Sequence, residues 1–364
     1  MDNKIQEEEK VKIIDNKKYH QQESKFNEHD HENSLSSSSA EEEENENSAE
    51  QQFINYITSH LSDHLTVEER SDYLQKVLSQ WRKHRKHTQE EQQMYKKYIK
   101  TIKENYLGTN SLLPSVHPLY QFQNWKLNPK LIQAINENNF DSVLVQVHPG
   151  IYTFECFDEE FCQQLIAEIN HFEKWCLENG IRVQRPNSMN NYGAILDNFG
   201  FEPCLQDLMT HIVEPLAKHV YSYITPPLDS HHGFVVEYSM NKDKKLDFHV
   251  DNADVTLNVC LGQEFTGGQL YFGGVRCQEH VQTPSLPNED FYFDHKIGYG
   301  VLHVGKHRHR ACEITSGTRL NLILWCLSSK FQAENCGNHK MCYKWCAYHQ
   351  INECFHKNSH VKHD

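Results

Sequence analysis

Lys245-Leu-Asp-Phe-His249-Val-Asp251, running on into Asn252-Ala-Asp-Val-Thr-Leu-Asn-Val-Cys260, is the stretch on which the fold of this 364-residue chain turns. Side chains alternate across a strand, so His249 and Asp251 point to the same side and can share one metal ion. No other His-x-Asp occurs in the chain. The nearest rival, His171-Phe-Glu173, lies in the helix-like run Phe161 to Leu177, where residues two apart face away from each other. A two-residue motif is cheap to produce by chance, and a solvated strand face is its ordinary meaning, so a third ligand is required.

Three histidines compete for that place in Gly300-Val-Leu-His303-Val-Gly-Lys-His307-Arg-His309-Arg-Ala-Cys-Glu-Ile-Thr-Ser-Gly317-Thr-Arg319-Leu-Asn-Leu-Ile-Leu-Trp325. His307 and His309 share one strand parity, so spacing alone does not choose between them, and a turn at Gly305 separates His303 from both. The surplus histidines read as surface or hydrogen-bonded supporting groups. Two histidines and a carboxylate on one face of a metal leave the other coordination positions open, the ligand set of non-haem Fe(II) oxygenases.

The pattern His-x-Asp, then His-x7-Gly-x-Arg, resembles the 2-oxoglutarate- and Fe(II)-dependent dioxygenases of the prolyl and lysyl hydroxylase type. The resemblance runs from about Asn187 to Leu327. It includes Asn187-Ser-Met-Asn-Asn-Tyr-Gly193, Phe234-Val-Val-Glu-Tyr238, Thr256-Leu-Asn-Val259 and Phe265-Thr-Gly-Gly268, and within the family it is nearest to a subgroup described only by its oxygenase domain. It places His309 at the distal ligand position, because Gly317 follows eight residues later and Arg319 ten. His307 would put both out of step. What the resemblance implies is an enzyme with Fe(2+) held by His249, Asp251 and His309, with 2-oxoglutarate and O2 as co-reactants and ascorbate as an accessory reductant. Oxidative decarboxylation to succinate would be coupled to hydroxylation of a substrate the residues do not identify, a protein side chain being the expected class.

Two positions depart from the family pattern. Glu313 stands where a proline is common four residues after the distal histidine, and Leu246 where a tyrosine often contacts the cosubstrate. Tyr238 and Asn258 are the candidates to replace that contact, against a reading of both as packed strand residues. Thr315-Ser-Gly-Thr318 reads as a turn, which would put Arg319 at a strand start near the barrel mouth. A dicarboxylate chelating iron at one end leaves its far carboxylate unpaired in a low-dielectric pocket. A guanidinium can grip that group with two parallel hydrogen bonds, and this is the role expected of Arg319. A zinc hydrolase shares the three metal ligands but has no need of Arg319. A non-catalytic jelly-roll module that binds a metal or ligand is the other class in play.

Composition organises the rest. Hydrophobic residues at 38% can fill a sizeable core. Residues 1–50 hold 15 Asp or Glu against 6 Lys, nine of the chain's fourteen net negative charges, and read as a disordered acidic tail. Residues 51–110 read as a helical region with Phe53, Ile54, Ile57 and Leu61 at helical spacing, and residues 111–228 as a connector with supporting helices over Phe157 to Leu177 and Pro203 to Ile224. Arg82-Lys-His-Arg-Lys86 could touch nucleic acid, but a solvated helix face is the better reading, so nucleic acid is not an expected partner. Short strands over residues 229–329, with turns at Thr266-Gly-Gly, Gly273-Gly and Pro284 to Asn288, predict a mainly β catalytic core with α-helical flanks, a double-stranded β-helix or jelly roll.

Residues 330–364 form a Cys/His-rich end. Cys336, Cys342, Cys346 and Cys354 could bind a structural zinc, but no tight C-x2-C knuckle is present, and a flexible end is the alternative. No apolar run approaches the roughly 20 residues that span a bilayer, and the charged opening lacks a signal peptide's apolar core. The expectation is a cytoplasmic or nuclear protein with no membrane partner and with reduced cysteines.

Overall fold

A computed structural model describes residues 39–61, 66–107, 118–224, 226–277, 280–335 and 346. They fall into two compact units divided after Met94. The first unit contains α1 (Ser39–His60) and most of α2 (Val67–Ile102). Phe53 stacks on Trp81 with ring centroids 5.0 Å apart, and Leu78 completes this small core. Within the basic cluster, Arg82 pairs with Glu50 and Arg85 lies over the Trp81 ring. The acidic segment expected to stay unfolded to residue 50 instead turns helical at Ser39, in a run of Ala and Glu that favours helix and contains no Gly or Pro. Residues 1–38 lie outside the described residues.

The second unit is built on strands. In chain order it contains α3 (Pro129–Glu137), β1 (Val145–His148), β2 (Ile151–Glu155), α4 (Glu159–Glu178), β3 (Gly193–Ile195), α5 (Glu202–Leu208), α6 (Glu214–Val220), β4 (Ser230–Ser239), β5 (Leu246–His249), β6 (Val255–Gly262), β7 (Phe265–Gly267), β8 (Leu270–Val275), β9 (Asp290–Phe293), β10 (Tyr299–Val304), β11 (His307–Ala311), β12 (Ile314–Leu327) and α7 (Ser329–Asn335). The major sheet runs β1-β2-β10-β6-β12-β4-β3, with β7 added on β12; the minor sheet runs β5-β11-β8-β9. Every ladder is antiparallel, and the expected jelly roll is what the chain forms. Among the described residues no helix is long and apolar enough to cross a membrane.

Strand parity sorts the central sheet into two faces. Leu320, Leu322 and Leu324 of β12, with Val255, Leu257 and Val259 of β6, pack on the helical side with Leu165, Ile169 and Phe172 of α4. The alternate residues face the interior between the sheets, where Phe234, Val236, Tyr238, Ala311, Ile314 and Ile323 form a second apolar cluster. Asp158 caps α4 by accepting from the Phe161 amide at 2.7 Å, which starts this helix two residues later than its apolar pattern suggests. A wide turn over Met209–Val213 joins α5 to α6 immediately before Pro215, which has no N–H to continue the regular ladder. The hairpin β1–β2, and α3 before it, were not anticipated.

Two expected turns are not turns. Thr315-Ser-Gly-Thr318 runs through β12 as continuous strand, so Arg319 sits inside a 14-residue strand and not at its start. Gly317, at φ +73°, kinks the chain where a Cβ would lie 2.0 Å from the Glu264 carbonyl oxygen. Gly273 and Gly274 lie within β8. Their missing side chains make room for Arg308 and Glu289: a Cβ on Gly273 would lie 2.6 Å from Arg308 Nη2, and one on Gly274 2.2 Å from Glu289 Oε1.

Candidate metal and cosubstrate site

His249 at the end of β5 pairs directly with His309 on β11, and the rings lie 4.2 Å apart. Asp251 comes two residues later, beyond the end of β5 and not on the strand that the alternation implied, its amide held by the Gly305 carbonyl at 2.9 Å. One donor atom from each of His249, Asp251 and His309 lies within 4.8 Å of the other two. His307 is not in this group. His307 lies opposite Val275 and His309 opposite Phe272, so the extra residue of the bulge is on β8, and of the two histidines only His309 has a partner on β5, His249. The buried His307 ring packs edge-on to Phe272, and neither of its nitrogens has a hydrogen-bond partner.

The imidazoles are set for a cation. His249 Nδ1 lies 2.9 Å from the Asp247 carbonyl and His309 Nδ1 2.9 Å from the His307 carbonyl; a carbonyl only accepts, so both rings carry their proton on Nδ1. Each Nε2 then turns a lone pair toward Asp251 Oδ1, both at 3.6 Å, outside hydrogen-bond distance. Two lone pairs and a carboxylate oxygen facing one another have no proton to share, and a divalent metal satisfies all three. Burial, and then the neighbouring His309, lowers the His249 pKa to about 4, which keeps it a neutral ligand near pH 7. Burial by itself would raise Asp251; the facing His309, His249 and His303 outweigh it and hold the carboxyl below its ordinary value. Thr256 on β6 donates to Asp251 Oδ2 at 2.7 Å and fixes the orientation of that carboxylate. Buried His303 sits behind it, Nε2 3.9 Å from Oδ2.

The same cavity is lined by Arg319, Tyr238, Asn258 and Asn321. Arg319 is 2% exposed, yet among the described residues no carboxylate pairs with it. Its Nη1 donates to the Gly268 carbonyl, its Nε has no partner, and its guanidinium lies 4.5 Å over the ring of Tyr238, its direct cross-strand neighbour. Burial lowers its pKa, partly offset by Tyr238. By contrast, buried Arg276 is matched by both oxygens of Glu289. A buried cation without a counter-ion costs several kcal/mol, roughly, unless something supplies the charge. The Arg319 site therefore suits an anionic ligand that enters from the cavity.

Tyr238 and Asn258 both face this cavity. Tyr238 accepts from Asn190 Nδ2 at 3.1 Å and braces the guanidinium, while Asn258 accepts from Asn321 Nδ2 at 2.6 Å. Sequence reasoning passed over Thr256, Asn321 and His295. Thr256 shares the parity of Asn258 on the strand following Asp251, and that signal was available. His295, whose Nδ1 lies 3.4 Å from Asn321 Nδ2, comes from a loop that no periodicity marks.

A family model described as the OGFOD2-like domain matches residues 109–225, upstream of the ligand-bearing strands. The chain is 48% identical over 198 residues to 2-oxoglutarate and iron-dependent oxygenase domain-containing protein ICU11 of Arabidopsis thaliana, covering 54% of this chain and 50% of that protein. It is 38% identical over 229 residues to 2-oxoglutarate and iron-dependent oxygenase domain-containing protein 2 of Danio rerio, covering 60% and 64%. At 25% identity over 207 residues it also matches multifunctional procollagen lysine hydroxylase and glycosyltransferase LH3 of Rattus norvegicus, covering 52% and 26%. The chain is thus a homologue of the 2-oxoglutarate and iron-dependent oxygenase domain-containing proteins, and it spans 50% to 64% of the length of the first two.

Proposed function

We propose that this chain is an Fe(II)- and 2-oxoglutarate-dependent dioxygenase that hydroxylates a protein side chain, with His249, Asp251 and His309 as the metal ligands. The observation that carries this reading is Arg319, a buried guanidinium without a carboxylate partner that opens onto the same cavity as the three convergent donors. A simple metal hydrolase has no use for it. Bound Fe(II), 2-oxoglutarate and O2 would supply oxidative decarboxylation to succinate and carbon dioxide coupled to hydroxylation of a C–H bond.

The chain's own residues have separable tasks. Arg319 binds the far carboxylate of 2-oxoglutarate through two parallel N–H donors, held in place by the Tyr238 face and the Gly268 carbonyl. Asn258 and Asn321 present amide atoms to the same ligand, and Asn321 Oδ1 is buried without a partner. Thr256 holds Asp251 in one orientation. Phe234, Leu270 and Ile323 line the cavity and keep water from it. A protein side chain is the substrate class favoured by similarity to a procollagen lysine hydroxylase.

The experiment is turnover of 2-oxoglutarate by the full chain, read as succinate by mass spectrometry, with Arg319→Ala as the discriminating variant. Arg319 in the proposed role requires the 2-oxoglutarate concentration for half-maximal turnover to rise far more than the Fe(II) concentration does. Equal rises would make Arg319 structural. Metal binding without succinate under any condition would favour a non-catalytic binding module.

A further inference from the structure

Cys277, His280 and Cys346 form a second convergent donor set, at the start of the loop between β8 and β9. Nothing in the oxygenase reading uses it. Cys277 Sγ lies 3.0 Å from His280 Nδ1 and Cys346 Sγ 3.7 Å from the same nitrogen, and the three donor atoms lie within 4.8 Å of one another. Cys277 and Cys346 are buried and both are free thiols. The His280 amide donates to the Cys277 carbonyl at 3.0 Å, a tight turn that brings positions i and i+3 to one side. The pair is a C-x2-H knuckle, and Cys346, 66 positions after His280, brings a third donor to it.

We propose that Cys277, His280 and Cys346 bind a structural zinc ion, distinct from the His249/Asp251/His309 centre. An ordinary S–H···N hydrogen bond explains one of the two sulfur contacts and not both, because an imidazole nitrogen offers either one lone pair or one proton. Zn–S bonds of about 2.3 Å and Zn–N bonds of about 2.05 Å at a tetrahedral angle separate sulfur from nitrogen by about 3.6 Å and sulfur from sulfur by about 3.8 Å. The two observed sulfur–nitrogen distances bracket the first value. Two thiolates with an imidazole select zinc over the harder iron favoured by two imidazoles and a carboxylate, so one chain can keep two metals apart by donor type. Binding releases the two thiol protons.

The ion would fasten Cys346 to a loop that is itself tied to the oxygenase strands. Arg276 joins Glu289, Thr283 Oγ1 and the Pro284 carbonyl across this loop. Arg308, the residue before His309, donates to the Val281 carbonyl and Ser285 Oγ and lies 4.5 Å over the ring of Phe248, the residue before His249. Gln282 donates to the Phe248 carbonyl at 3.3 Å. Zinc at the knuckle would therefore stiffen the support of both metal-binding strands. This inference does not depend on the oxygenase reading.

The test counts metal in the full chain carrying His309→Ala, which removes the first site. The expected result is about one zinc per chain, with affinity reduced at least roughly tenfold when Cys277→Ser or Cys346→Ser is added. Cobalt(II) in place of zinc should give thiolate-to-cobalt charge-transfer absorption, falling to about half when either cysteine is removed. The unaltered protein supplies a measurement that no folding defect can confound: Cys277 and Cys346 should resist alkylation until a zinc chelator is added. Zinc retained in the Cys277→Ser/Cys346→Ser double variant would overturn the proposal. So would equal alkylation with and without chelator, or recovery of a Cys277–Cys346 disulfide from protein quenched with alkylating agent.

Discussion

Replacing Thr256 by Val removes one hydroxyl from the site while keeping a β-branched side chain of the same shape near the start of β6. The lost contact is the 2.7 Å bond from Thr256 Oγ1 to Asp251 Oδ2, and both residues are buried. A hydrogen bond to a charged acceptor contributes about 1.5–3 kcal/mol. At about 1.4 kcal/mol per factor of ten, that is roughly 10- to 150-fold in metal affinity, provided the carboxylate needs this bond to hold its orientation. The other restraint on Asp251, its amide bond to the Gly305 carbonyl, fixes the backbone and leaves the carboxylate free to rotate. Anaerobic calorimetric titration of Fe(II), or of Mn(II) as an air-stable substitute, into the Thr256→Val protein should therefore show affinity weakened about 10- to 100-fold. Thr256→Ser, which retains the hydroxyl, should stay close to the parent protein. An affinity within twofold for Thr256→Val would refute the reasoning, because Asp251 would then be held without Thr256.

His309→Ala should abolish Fe(II) binding in the same titration, whereas His307→Ala should retain most of it; the reverse outcome would reassign the distal ligand. Gly274→Ala should push Glu289 off Arg276 and leave a buried guanidinium unpaired, a loss of about 3–5 kcal/mol, read as a fall of roughly 10 °C in melting temperature. His295 is held neutral well below its ordinary value of 6.5 by burial and then by the Arg319 charge. Below pH 6.5 the unfolded chain binds a proton there that the folded chain refuses, so stability falls as the pH is lowered from 6.5. His295→Asn should make that acid limb shallower, by at most about 1.4 kcal/mol per pH unit, in urea titrations at stepped pH.

Much of this architecture is legible in the chain because it follows from strand parity. Parity sorts Arg319, Asn321, Ile323 and Trp325 of β12 to the cavity while the leucines between them pack against helices, whereas Asp251 lies two residues beyond the end of β5, so its meeting with His249 does not rest on strand alternation. Parity fails where the backbone departs from a regular ladder. The bulge lies on β8 at Gly273-Gly274, opposite the step from His307 to His309, and which of those two meets His249 is set by the register on β5 and not by their shared parity. Gly273, Gly274 and Gly317 resemble turn residues, yet each lies in a strand beside a group that a Cβ would strike. The Cys277, His280 and Cys346 cluster was illegible for a different reason, since tertiary contact alone brings a knuckle and a distant cysteine together. Of Cys336, Cys342, Cys346 and Cys354, the cysteines whose clustering in sequence suggests zinc, only Cys346 falls among the described residues.

The oxygenase reading is tested most directly by anaerobic titration of Fe(II) and then 2-oxoglutarate into the purified chain, followed by visible absorption. Chelation of iron by the 2-oxo acid should give a weak metal-to-ligand charge-transfer band in the unaltered protein, and admission of air should bleach it with release of succinate. In Arg319→Ala the band should require far more 2-oxoglutarate. Saturating Fe(II) and 2-oxoglutarate with no band, and no succinate on aeration, would contradict the account.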